Sequence, residues 1–255
     1  MTSALRVLEH DLRFYRQTWR GTLTSTFVSP VLFLAALGLG LGTFVDQSGN
    51  NVIPGVSYAA FVGPALLMTK AMQAAIFECS YPLMGKFEWR KTFTGILATP
   101  VSVGGLFAGE VMWLSFRLAV GAIGFFVALL LFGLVFAPSG ILAIPIAILT
   151  GLGFALPMFA FTATITKDEP FALIFRFIQI PLFLFSGAFF PISSLPPVLA
   201  AIAWLTPIAN GIEIARAATL GTLDASALPH LAVILAWVVV GGIVALRQTT
   251  RRLVV

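Results

Sequence analysis

Charged side chains are scarce in this sequence. Lys, Arg, Asp and Glu make up 10% of the 255 residues, whereas soluble globular domains carry about 25%. With 59% hydrophobic residues and a mean hydropathy of +1.01, the polar surface is too small to cover a water-soluble fold, so the expected solvent is lipid. Cysteine is nearly absent. Cys79 stands alone inside an apolar run, which excludes an intrachain disulfide, and with His10 and His230 far apart no zinc cluster is expected. A phosphate-binding loop is also missing: Gly85-Lys86 lacks the upstream glycine and is followed by Phe87. Any ATP is therefore expected to be hydrolysed by a partner. The net charge of +5 is not gathered into a basic patch with interleaved aromatics, which argues against nucleic-acid binding. The short alternating strands of an outer-membrane barrel are absent. A cleavable signal peptide is not expected, since some twenty mixed residues precede an apolar run that is long enough to span and has no convincing small-residue cleavage site.

What is present is long apolar helix. A bilayer core takes about 20 residues of helix, and backbone groups in lipid must pair within their own segment. Six stretches qualify, roughly 23–45, 58–84, 103–132, 141–165, 171–190 and 229–246. The expected fold class is an all-α integral membrane protein with six transmembrane helices in one domain over 1–255. Lysine and arginine fall at alternate ends of these spans. Arg6, Arg13, Arg16 and Arg20 precede the first, and Lys86, Arg90 and Lys91 follow the second. Lys167, with Arg176 just beyond, follows the fourth; Arg247, Arg251 and Arg252 close the chain. The intervening loops 46–57 and 133–140 carry none, and 191–228 carries Arg216 alone. The positive-inside rule then makes both termini cytoplasmic.

Three pieces outside the spans carry information. Over 4–20, Leu5, Leu8, Leu12, Tyr15 and Trp19 form one helical stripe and Arg6, Glu9, Arg13, Arg16 and Arg20 another. This reads as a basic amphipathic helix on the inner membrane surface, an anchor that also has the makings of a partner contact. The segment 85–101 is too polar to span and too aromatic, with Phe87, Trp89, Phe93, Ile96 and Leu97, for an idle loop. A short cytoplasmic helix over 86–99, stopped before Pro100, is expected there, its aromatics set either into another protein or onto the membrane surface. The stretch 190–228, broken by Pro191, Pro196, Pro197 and Pro207, is expected to be an external re-entrant helical hairpin.

Four motifs together give the chain a family resemblance. They are Tyr58-Ala-Ala-Phe-Val-Gly-Pro-Ala-Leu-Leu with Ala71-Met-Gln-Ala-Ala-Ile-Phe-Glu, then Leu97-Ala-Thr-Pro-Val-Ser. Next is Pro181-Leu-Phe-Leu-Phe-Ser-Gly-Ala-Phe-Phe-Pro-Ile-Ser-Ser-Leu-Pro, and last Leu205-Thr-Pro with Glu213 and Arg216. In this order the chain resembles the permeases of type-2 ABC exporters, nearest those that export nodulation lipo-oligosaccharides, with the daunorubicin-type drug exporters as a sister group. Two departures stand out: Ala65 where that subgroup tends to have glycine, and Lys70 within the second span. The resemblance implies a bacterial cytoplasmic-membrane protein without catalytic or metal residues. It further implies a second permease copy or paralogue and a cytoplasmic P-loop ATPase that supplies ATP and Mg. It makes 86–99 the coupling helix, with Phe87, Glu88, Trp89, Arg90, Lys91 and Phe93 docking on that ATPase, and gives Ser186, Gly187, Phe189, Phe190 and Pro191 to an outer gate. The cargo is expected to be amphipathic, a lipid-linked saccharide or a hydrophobic drug.

Elementary chemistry bears on these roles. Trp89 and Phe93 are four apart and would share a helical face. Ionisable residues inside spans are costly and by default suggest function. Glu78, Glu110, Arg117, Arg176 and Gln179 are thus expected either to bridge helices or to line a path for a polar headgroup. Gly187 would let helices approach, and paired phenylalanines beside Pro191 would form either an apolar gate or an interfacial belt. Against a gradient-driven transporter stands the lack of an inverted repeat, and against a membrane-embedded enzyme the lack of converging histidines and carboxylates.

Overall fold

The structure is a computed structural model and describes residues 2–36, 40, 42–47, 53 and 55–254, those at 2, 18–27 and 29 by backbone alone. Every element among the described residues is helical. The first, α1 (Thr2–Ala35), is followed by a short α2 (Thr43–Gln47). The hydroxyl of Ser57 accepts from the Ala60 amide at 3.3 Å and so starts α3 (Tyr58–Glu78). After a break at Cys79-Ser80 the chain continues as α4 (Tyr81–Met84) and a π-helical turn, Gly85–Trp89. At the break, the freed carbonyl of Cys79 accepts from the Thr162 hydroxyl at 2.6 Å, which satisfies it inside the core.

Lys91, at φ 50° in the left-handed region, turns the chain into α5 (Thr92–Leu97). Ser102 caps α6 (Val103–Leu131), and a short 3-10 turn leads into α7 (Ala143–Thr162). The helices α8 (Glu169–Ile174) and α9 (Ile180–Phe185) are joined through a π-helical turn, Phe175–Gln179. Then come α10 (Pro197–Trp204), α11 (Pro207–Leu220) and α12 (Ala227–Val254).

Four of these runs are individually long and apolar enough to cross a membrane: Tyr58–Trp89, Val103–Leu131, Pro138–Thr162 and Ala227–Val254. The pair α10 and α11, bent by 80°, makes a fifth candidate. The six expected spans are not all matched. That at 23–45 falls partly outside the described residues, including Leu39 and Leu41. That at 171–190 is shorter, because the helical run from Glu169 stops at Phe185 and Gly187, at φ +83°, turns the chain away. The run containing α3 is central, 78% of its apolar window being buried, whereas α12 is peripheral at 11%.

The expected helix over 4–20 forms as the first part of a longer α1, which runs from Thr2 to Ala35. Its inward face carries Ala4, Val7 and Asp11, while Leu5 and Phe14 are exposed and the side chains of Trp19 and Arg20 lie outside the described residues. The cause is on α6. A Cβ at Gly109 would lie 2.6 Å from the Val7 Cβ and 2.8 Å from the Ala4 carbonyl, and one at Gly105 would lie 2.4 Å from the Ser3 hydroxyl. Two glycines four apart thus let the helices approach closely, and the contact selects the face of small residues.

The loops sort to opposite ends of the bundle. At one end Asp11 bonds Lys86, and Arg252 bonds both Glu88 and Thr162, so α1 and the end of α12 both lie beside the 85–101 segment. At the other, Tyr58 donates its amide to the Asp46 carboxylate and its hydroxyl to the Phe189 carbonyl, and Phe136 and Ser139 donate to the C-terminal carbonyls of α11.

Candidate functional site

The segment expected to be one coupling helix folds as the π-helical turn and α5, joined at the kink of Arg90 and Lys91. This corrects the expectation that Trp89 and Phe93 share a face. Trp89 is 60% exposed and Phe93 is fully buried, because the left-handed Lys91 swings α5 back beneath the turn. Phe93 meets Phe87 edge-on, with centroids 4.7 Å apart, and Phe87 meets Phe159 of α7. Phe87 and Phe93 are therefore core residues that no partner reaches, while Trp89, Arg90 and Lys91 stand exposed. Arg90 also reaches the Pro82 carbonyl.

Two ion networks brace this turn, one buried and one half-buried. Lys86 places its Nζ 2.8 Å from Asp11 of α1 and 2.8 Å from both carboxylate oxygens of Glu110 on α6. On the other side, Glu88 pairs with Arg252 of α12, whose guanidinium lies 4.3 Å over the Phe87 ring and donates to the Thr162 carbonyl at 2.6 Å. The turn is thus fastened to α1, α6, α7 and α12 at once. Asp11, Arg252 and Thr162 escaped sequence reasoning because such pairings are long-range; the Gly105-x-x-x-Gly109 spacing was the one local signal that α1 and α6 meet.

The intramembrane charges expected to line a path separate into distinct places. Glu110 belongs to the Lys86 network, although it lies on the same helix as Arg117. Arg117 instead grips Glu78 of α3 through Nε at 3.0 Å and Nη2 at 2.6 Å, and its guanidinium sits 5.3 Å from the Tyr15 ring centroid. Glu78 and Arg117 line a cavity of about 330 Å³ together with Lys70. Arg176 is exposed and Gln179 half-buried on the α8–α9 run, and neither reaches that cavity.

At the far end, the expected gate residues form a turn anchored by arginine. Gly187 does not pack between helices as expected. It adopts φ +83°, where a Cβ would stand 2.7 Å from Ile192, and its carbonyl accepts from Arg216 Nη2 at 2.9 Å. Buried Arg216 also donates to the Phe61 carbonyl at 3.2 Å and lies 3.8 Å over the Phe61 ring. Ser186 is buried, Phe190 and Pro191 are half-buried, and Phe189 packs edge-on against Phe183. The adjoining α10–α11 corner exposes carbonyls that lipid could not satisfy, and side chains meet them. Thr206 donates to Ala203, Asn210 to Trp204 and Thr206, and Trp237 of α12 to Leu205. His230 holds Asn210 at 2.7 Å. Among these, Arg216 had been noted for its motif but not its chemistry; Asn210 and His230 gave no local signal.

A helical bundle of candidate membrane spans, with a braced elbow at one end and a bent helix pair at the other, has the architecture of an integral membrane protein. The family pattern described as ABC-2 type transporter matches residues 8–220, and the chain belongs to that family. Curated relatives agree. Nodulation protein J of Rhizobium leguminosarum bv. viciae is 28% identical over 249 residues, covering 98% of this chain and 94% of the relative. Nodulation protein J of Rhizobium leguminosarum bv. trifolii is 30% identical, covering 91% and 87%. That of Bradyrhizobium diazoefficiens is 32% identical, covering 79% and 75%. The chain is the permease subunit of an ABC exporter, and ATP hydrolysis belongs to a separate subunit.

Proposed function

We propose that this permease sits in the bacterial cytoplasmic membrane with both termini inside, pairs with a second permease copy or paralogue, and exports an amphipathic lipid-linked saccharide. The lysine and arginine bias supports the orientation. The likeness to Nodulation protein J favours the lipo-oligosaccharide class over a hydrophobic drug. In this reading ATP and Mg act in the cytoplasmic partner, and force enters through Trp89, Arg90 and Lys91. The carrying observation is the fully braced π-helical turn that presents Trp89 outward. An exposed aromatic beside two cations on a rigid support is the form of an interface hot spot, and its pull is delivered to four helices through Lys86 and Glu88.

The remaining expectations follow from this placement. Glu78 and Arg117 face the headgroup path, while Glu110 holds the turn in place. The Ser186–Pro191 turn, with Phe189 and Phe190, closes the outer side, and Arg216 sets its position. The test is co-purification with the P-loop ATPase encoded nearest this chain. Loss of the complex in the Trp89→Ala/Arg90→Glu variant, with the permease still folded, is expected. An undiminished complex refutes the docking assignment.

A further inference from the structure

The cavity beside Glu78 and Arg117 opens between α1, α3 and α6 and exists because small residues face each other there. Ala71, Ala74 and Ala75 oppose Gly121 and Ala122, and a Cβ built at Gly121 meets no atom within 4 Å. At about 330 Å³, with mostly apolar walls and few polar groups, it has the size and character of a small-molecule site. Its charges do not cancel. Glu78 is held by two donors of Arg117, which leaves Lys70 uncompensated. Lys70 stands about 18 Å from the start of α3 and two helical turns from Glu78. The chain has 10 acidic residues, all of them among the described residues, and none lies within ion-pair distance of Lys70. A bare ammonium midway along a spanning helix is strongly disfavoured, and such residues mark sites.

We infer that this cavity binds the anionic headgroup of a lipid-tailed molecule: Lys70 takes the anion, and the apolar walls between α3 and α6 take the first part of the tail. Arg117 keeps Glu78 from competing for Lys70. The inference rests on the reading that Glu78 and Arg117 face the headgroup path, and it names the chemistry that path receives.

The test places the full chain in nanodiscs of phosphatidylcholine with a minor share of phosphatidylglycerol. The protein is then transferred to neutral maltoside detergent, and retained lipids are counted by native mass spectrometry. Phosphatidylglycerol is expected to be enriched about tenfold or more on the wild type and on Lys70→Arg. Enrichment should vanish in Lys70→Gln, and the retained lipid should be lost in Gly121→Leu, whose side chain fills the open space. Dodecyl phosphate should displace the lipid where inorganic phosphate at equal concentration does not, which separates a lipid headgroup from free phosphate. Equal retention of the two phospholipids, unchanged enrichment in Lys70→Gln, or displacement by inorganic phosphate alone overturns the proposal. Because ATPase co-purification is read separately, failure here leaves the docking assignment standing, and the reverse.

Discussion

Lys86 is the residue whose removal tests most of the architecture. Its ammonium sits 2.8 Å from Asp11 and from Glu110, carboxylates whose side chains are 8% and 4% exposed. Lys86→Met keeps the aliphatic stem but leaves two acids facing each other without a cation. Stripping one partner from a buried ion pair costs about 3–5 kcal/mol, a large share of the roughly 5–15 kcal/mol that holds a domain together. Replacing the whole group by neutral residues of similar volume is often neutral or stabilising, so Asp11→Asn/Lys86→Met/Glu110→Gln should recover most of the loss. Glu110→Gln alone, with Asp11 still on Lys86, should cost about 1–3 kcal/mol. Thermal and denaturant unfolding of the purified chain in neutral detergent, followed by tryptophan fluorescence and size exclusion, reads all three. A single variant within about 1 kcal/mol of wild type, or a triple variant as unstable as the single, refutes the network as the brace of the turn.

The other predictions separate docking from packing. Trp89→Ala should leave unfolding within about 0.5 kcal/mol of wild type yet weaken ATPase binding by about 2 kcal/mol, roughly thirtyfold, in a titration with the purified partner. Phe93→Ala should do the opposite, costing about 3–5 kcal/mol of stability with the folded fraction binding normally. Arg216→Lys keeps the charge but loses the fork that spans the Phe61 and Gly187 carbonyls, and should lower stability by about 1–3 kcal/mol. Gly187→Ala, which forces a side chain into the left-handed region against Ile192, should cost about 1–3 kcal/mol and raise proteolysis between α9 and α10. Neither far-end variant should alter ATPase affinity.

The legible part of the fold was whatever depends on composition over a window. Long apolar stretches and the placement of lysine and arginine located the main spans and sorted the loops into two groups, and the structure gathers the same groups at opposite ends. The illegible part depended on which faces meet. The periodicity of residues 4–20 made the helix legible, but not which of its faces meets α6, because that is set by the groove that Gly105 and Gly109 open for Ala4 and Val7. A four-residue spacing put Trp89 and Phe93 on one face only so long as the helix stayed regular. One left-handed residue, Lys91, was enough to send them apart. Glu110 and Arg117 lie two turns apart on α6, yet each answers to a different helix.

The separation of Trp89 from Phe93 has a cause that bears on mechanism. It lies where the regular helix gives way, as happens also at the Cys79-Ser80 break, at Gly187 and at the α10–α11 corner. In lipid an interrupted helix leaves carbonyls that water cannot reach, so every interruption must recruit a donor from elsewhere in the chain. Here Thr162 serves Cys79, Arg252 serves Thr162, Arg216 serves Gly187, and Trp237 serves Leu205. Each donor comes from a helix other than the one whose break it serves, so no break can move without moving its neighbour. Breaks at the end that carries Trp89 are tied to the C-terminal helix α12 through Arg252, and the far corner is tied to the same helix through Trp237 and His230. A push on the Trp89 turn therefore has a rigid route along α12 to the opposite end of the bundle. Arg252→Leu should cut that route, leaving ATPase binding intact while uncoupling ATP hydrolysis from export in proteoliposomes; normal export by this variant would exclude α12 as the transmitting element.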